Sequence, residues 1–162
     1  MTNTNEASTR VKQPNSRNCF VCGVENPVGL HLKFYETGLG EVEAIFEPPE
    51  HFQGYPDMLH GGITASALDE VVGRAAMTGD HHRFMFTAKL EIRYRRPVPL
   101  GQTLKLKGKM SRRKGKLAFA EGQIVLPDGT VAAEAKAVLS DVPDMDISSE
   151  QFEALGWQVY PD

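Results

Sequence analysis

Leu59-His60-Gly61-Gly62-Ile63-Thr64-Ala65-Ser66-Ala67-Leu68-Asp69-Glu70 reads as a bare helix N-terminus running into a mostly apolar helix that carries one misplaced carboxylate. Two adjacent glycines have no side chains to shield the backbone, so the first N–H groups of the helix stay open to an anion. At about 100° per residue from Gly62 to Thr78, Ala65, Leu68, Val72, Ala75 and Ala76 share one face, and Ser66, Glu70, Gly73 and Arg74 share the other. Asp69 borders the apolar face. Glu70 has Arg74 four residues on, the spacing of a solvated surface ion pair. A carboxylate is costly to bury without partners, so Asp69 calls for an explanation that Glu70 does not.

Outward from this helix, 162 residues with 41% hydrophobic and 24% charged residues describe one ordinary globular domain. A net charge of -3 gives no global pull toward nucleic acid. The chain starts without a basic segment followed by an apolar run, and nowhere do about 18 apolar residues stand together. A soluble cytoplasmic protein with no membrane contact is expected. The two cysteines form a single Cys19-x-x-Cys22. That is half of a tetrahedral zinc site; His31 could add a ligand, but no second Cys-x-x-Cys or His-x-x-x-His exists. The expectation is a reduced pair packing the entry loop, with no metal and no disulfide.

In chain order, residues 1–17 are polar and aperiodic and read as a mobile tail. Leu30 to Tyr35 alternates like a half-buried strand, Gly38-Leu39-Gly40 turns, and Val42 to Phe46 returns as its partner. After a loop, the helix runs from about Gly62 to Thr78 and stops at Gly79. Four strands follow. Thr87 to Tyr94 is the first, Leu104 to Met110 marks the second, Leu117 to Leu126 the third and Thr130 to Leu139 the last, with tight turns at Lys114-Gly115 and Pro127-Asp128-Gly129. Residues 142–162 form an extension in which Ser148 or Ser149 caps a short helix ending at Gly156. One long helix beside five to six antiparallel strands is an α+β layer arrangement.

His60-Gly61-Gly62 with an acid nine positions after the His resembles the central-helix signature of hotdog-fold acyl-CoA thioesterases, in the branch of the phenylacetic-acid-pathway and THEM-like proteins. Cys19-Phe20-Val21-Cys22-Gly23, Asn26-Pro27, Gly29-Leu30, Phe52-Gln53-Gly54-Tyr55-Pro56 and Arg93-Tyr94-Arg95-Arg96-Pro97-Val98 extend the resemblance from about Asn18 to Ser140. It implies a hotdog domain over residues 18–141, with the long helix wrapped by a curved sheet. It further implies hydrolysis of an acyl-CoA thioester without a cofactor, and a homodimer or dimer of dimers with sites between subunits. The small residues Ala67, Gly73 and Ala76 would permit that close approach.

The resemblance makes Asp69 the general base or nucleophile, and a backbone N–H at a helix N-terminus is aimed where a thioester oxygen gains negative charge, so Gly61 is the oxyanion donor. His60 orients the loop. Thr87 falls where the family places a water-positioning Ser or Thr, and Gln53 where a loop amide polarises the carbonyl. Asp57 departs from the Gly of relatives and would narrow the entrance or add a second acid. Arg95 and Arg96, with Arg112, Arg113 and Lys114 on a hairpin tip, are the dense positive charge that CoA phosphates would need. RNA binding would want aromatics among them, and none are there. Two rivals stand beside this reading. One is a non-catalytic acyl-CoA-binding module. The other is a hotdog dehydratase, echoed by His51-Phe52-Gln53-Gly54-Tyr55-Pro56 but lacking its Glu, since Ala65 stands fourteen residues after His51.

Overall fold

The apolar run after Gly61 folds as one helix, α1 (Gly61–Ala76), in a computed structural model that describes residues 10–142 and 146–162. Its inner face, including Ala67, Leu68, Val71, Val72, Ala75 and Ala76, is buried. Seven strands wrap it: β1 (Val11–Lys12), β2 (Phe34–Gly38), β3 (Glu41–Phe46), β4 (Met85–Tyr94), β5 (Leu104–Lys114), β6 (Leu117–Val125) and β7 (Val131–Asp141). They form one sheet in the order β1-β2-β3-β5-β6-β7-β4, antiparallel throughout. A short helix α2 (Ser149–Leu155) is capped by Ser148 and closed by Gly156, as its sequence predicts. This is the hotdog fold, α+β, with more strands than the five to six expected. Among the described residues no helix is long and apolar enough to cross a membrane.

Helix and sheet touch most closely where β5 and β6 carry paired glycines. Gly108 lies opposite Gly122 in the ladder. A Cβ on Gly108 would stand 2.4 Å from the Val71 carbonyl oxygen, and one on Gly122 would stand 3.0 Å from Val71 Cγ1. Without side chains there, the sheet can curve around α1 at backbone distance.

Two expectations need correction. Residues 1–9 lie outside the described residues, but 10–17 are no tail: β1 pairs with β2, and Gln13, Asn15 and Ser16 are buried. Their polar side chains hide the burial from a hydropathy reading, and their amide NH2 groups bond carbonyls from distant segments: Gln13 Nε2 to that of Arg74, Asn15 Nδ2 to those of Cys22 and Leu32. Leu30 and Leu32 are buried as their alternation suggests, yet they lie before β2. Their N–H groups donate to Phe20 and Val21, and His31 bends the chain at φ 53. The C-terminal extension, described over residues 146–162, packs back onto the domain, with Gln158 bridging to Asn15 and Trp157 donating to the His81 carbonyl.

Candidate active site

His60 is the N-cap of α1, and its Nδ1 accepts from the Gly62 N–H at 3.0 Å. The cap therefore uses the donor that was expected to stay open at Gly62. Ile63 and Thr64 donate to the His60 carbonyl, and the His60 N–H donates to Phe52. No hydrogen bond among the described residues uses the Gly61 N–H, which is left facing outward at the first helical position. The Tyr94 hydroxyl donates to the Gly61 carbonyl at 2.9 Å and braces the turn from β4. His60, Gly61, Gln53, Tyr94, Arg95 and Arg96 all line one cavity of about 720 Å³.

Asp69 lies elsewhere. It is half-buried on α1, and its Oδ1 accepts from Thr87 Oγ1 at 2.8 Å. A bulge between Thr87 and Lys89 in the β4–β7 pairing turns that hydroxyl toward the helix. Both residues open into a second cavity of about 250 Å³, walled by Met77, Phe84, Met85 and Trp157. Eight residues of α-helix separate Gly61 from Asp69, an axial rise of about 12 Å. Within one chain, then, the candidate donor Gly61 and the Asp69 carboxylate line different cavities.

Residues 57–133 match the model of the thioesterase superfamily. They are similar to sequences of that superfamily. Rat acyl-coenzyme A thioesterase THEM4 is 30% identical over 82 residues, which are 50% of this chain and 34% of that protein. The chain thus spans about a third of the length of the curated relatives it matches. A crystal structure of a thioesterase superfamily protein is 31% identical with a TM-score of 0.71, covering 77% of this chain and 61% of that one. A Streptococcus mutans protein solved with acetyl CoA shares the fold at 17% identity and a TM-score of 0.63, over 68% of this chain and 88% of that one.

The remaining site candidates divide. Gln53 Oε1 accepts from the Asp57 N–H at 3.3 Å, so it shapes the loop that forms the cavity wall. Asp57 itself sits at φ 62, the left-handed region that favours glycine, and is absent from that cavity's lining. At the cavity rim Arg96 makes no ion pair among the described residues, whereas Arg95 donates to Glu134 at 2.7 Å. The hairpin-tip cations lie toward the other end of α1. Arg113 donates to the Ala76 carbonyl at 3.0 Å and so caps the helix C-terminus, and Arg112 stacks over Phe119 at 4.2 Å. Lys114 ends β5, exposed at the turn.

Glu70 and Arg74 are not a solvated pair. Arg74 is 1% exposed, donates to Glu70 Oε1 at 2.8 Å and to the Pro14 carbonyl, and lies between the rings of Phe34 and Trp157. The i,i+4 spacing correctly joins the two side chains; the segments that cover them come from both ends of the described chain. Ala67 and Ala76 likewise face the chain's own sheet, while Gly73 has open space where a Cβ would stand. Cys19 and Cys22, both free thiols, line the same cavity as Asp69. Their mutual hydrogen bond pushes Cys19 down to about 6 and, with burial, pushes Cys22 up.

Proposed function

We propose that this chain hydrolyses acyl-CoA thioesters at sites shared between two copies, Gly61 of one copy working opposite Asp69 of the other. The carrying observation is the separation of the two groups along α1: each opens into its own cavity, and a single thioester carbon needs both within a few ångströms. Two further features support pairing. The outer face of α1 is open at Gly61, Gly62 and Gly73. Beside it, β4 is a ten-residue sheet edge with Phe86 62% and Tyr94 53% exposed, an unpaired edge of the kind that isolated domains rarely leave uncovered.

In this reading the Gly61 N–H donates to the thioester carbonyl and strengthens its bond as the oxygen becomes an oxyanion. Thr87 holds one oxygen of Asp69, and the other is available to take a proton from water as that water attacks the carbonyl carbon. Collapse of the tetrahedral intermediate expels the CoA thiolate. An Asp69 nucleophile would serve the same geometry through an anhydride, and a single turnover in ¹⁸O-water distinguishes the two by placing label in Asp69 only on that route. Arg95 and Arg96, beside Gly61, meet the CoA phosphates, and the apolar wall of Met77, Phe84, Met85 and Trp157 beside Asp69 receives the acyl group.

The test mixes two inactive variants, Asp69→Asn and Gly61→Pro, after dissociating and reassociating the subunits. Each heterodimer then holds one site made of two unmutated contributions, so random pairing restores about a quarter of wild-type turnover. A monomer at working concentration, or no recovery despite proven subunit exchange, overturns the shared site.

A further inference from the structure

Cys19-Phe20-Val21-Cys22-Gly23 folds as a tight knuckle. The Gly23 N–H donates to the Cys19 carbonyl at 2.8 Å, and the Cys22 N–H donates to Cys19 Sγ at 3.5 Å. A Cβ on Gly23 would stand 2.3 Å from the Cys19 carbonyl oxygen, so only glycine closes this turn. The knuckle brings both sulfurs to one side, against α1, where Glu70 presents its carboxylate. The two sulfurs and a Glu70 oxygen all lie within 4.8 Å of one another, and the thiols are free.

We propose that Cys19, Cys22 and Glu70 bind a thiophilic divalent cation of the Zn²⁺ class. With metal–sulfur bonds of about 2.3 Å and metal–oxygen bonds of about 2.0 Å, the ligand atoms of a tetrahedral site stand roughly 3.5–3.8 Å apart, the spacing this cluster approaches. The surroundings supply the outer contacts such a site needs. Arg74 holds Glu70 through Oε1 at 2.8 Å and leaves Oε2 for the metal, while Ser16 Oγ stands 3.7 Å from Cys22 Sγ. Formal charge closes as well: two thiolates and Glu70 give three negative charges, against a divalent ion and Arg74. Two sulfurs select against Mg²⁺ and Ca²⁺. The fourth position faces the cavity shared with Asp69 and Thr87. Glu70 takes the place that the sequence offered to His31, which lies outside the cluster.

The site stands or falls independently of the thioesterase reading, because its test is spectroscopic. The full chain, reduced and stripped of metal with a chelator, is titrated with Co²⁺. The expected result is one equivalent per chain with an intense near-ultraviolet thiolate-to-cobalt band, bleached by one equivalent of Zn²⁺. Cys19→Ser removes the band while circular dichroism remains native, and Glu70→Gln weakens binding at least about tenfold. Loaded protein protects the partly exposed Cys19 from alkylation; stripped protein leaves it reactive. Absence of the band in folded, reduced wild-type protein overturns the proposal. So does a band that survives both Cys19→Ser and Cys22→Ser, or a pair that closes to a disulfide and never takes up metal.

Discussion

Gly61→Pro removes a single hydrogen-bond donor from the molecule and little else. Gly61 is the first residue of α1, a position where proline is favoured because its N–H would have no intrahelical partner and its fixed φ suits the helix. The residue before a proline must be extended, and His60 already stands at φ -58 and ψ 132. A Cβ at Gly61 meets the Tyr94 ring at 3.7 Å, ordinary contact. The proline chain should therefore melt at or slightly above the wild-type temperature, a Gly-to-Pro change at a compatible site being worth about 0.4–1 kcal/mol through the unfolded state. Turnover should fall steeply. Loss of one oxyanion donor costs about 2.7–4 kcal/mol, or a 10²–10³-fold drop in kcat with KM little changed. Gly61→Ala keeps the donor and is the control, expected near wild-type. Steady-state kinetics on an acyl-CoA with thiol-release detection reads the effect. A folded proline variant within threefold of wild-type kcat would show that the Gly61 N–H does not stabilise the oxyanion.

Asp69→Asn should lower kcat at least about 100-fold with the fold intact, and Thr87→Val, which frees Asp69 Oδ1, by about tenfold; a silent Asp69 variant rejects the mechanism. Glu70→Gln should destabilise the chain by about 1–3 kcal/mol in urea denaturation because it strips the charge partner of a buried Arg74, against the silence that a solvated pair would give. Neutralising Arg95 and Arg96 should raise KM for acyl-CoA more than for a truncated acyl-pantetheine thioester, and Arg112→Gln should leave both unchanged if CoA lies along the Gly61 cavity. The Arg83 guanidinium, bonded to both oxygens of Asp141, holds that carboxyl below the usual carboxylate range. Its contribution is full above the unfolded value of about 3.9 and is lost as pH falls through the lower folded one, so the gap in melting temperature between wild type and Asp141→Asn should close in acid; a gap constant with pH contradicts the pairing.

The helix and its two ends can be read from sequence because local chemistry determines them: a His-Gly-Gly entry, apolar periodicity to Ala76, and Gly79 at φ 80 beyond it. The β5–β6 and β6–β7 turns follow for the same reason, Gly115 and Gly129 both taking positive φ. Asp69 and Thr87 can be named singly from the resemblance, but only the bulge in β4 brings them to hydrogen-bond distance. What stays hidden depends on segments far apart in the chain. Gln13 and Arg74 are residue types that seldom go inside, and nothing near them in sequence announces the distant carbonyls and rings that they meet there. Glu70 joins the two cysteines only across the fold, so a search for ligands by spacing looks to His31 instead.

The clasp between Asn15 and Gln158 has a consequence for the order of synthesis. The whole sheet and α1 are complete by Asp141, so a nascent polypeptide holds them, and Asn15, before Gln158 exists. Leu155 and Trp157, two walls of the cavity that holds Asp69, come after. Joining segments so distant in sequence costs on the order of 4 kcal/mol of loop-closure entropy. The clasp therefore forms late, once the sheet has already drawn its two ends near each other. Until then Arg74 lacks its Trp157 cover and the cavity beside Asp69 stands open on that side. Leu155 and Trp157, translated after the whole sheet, are thus what closes this cavity.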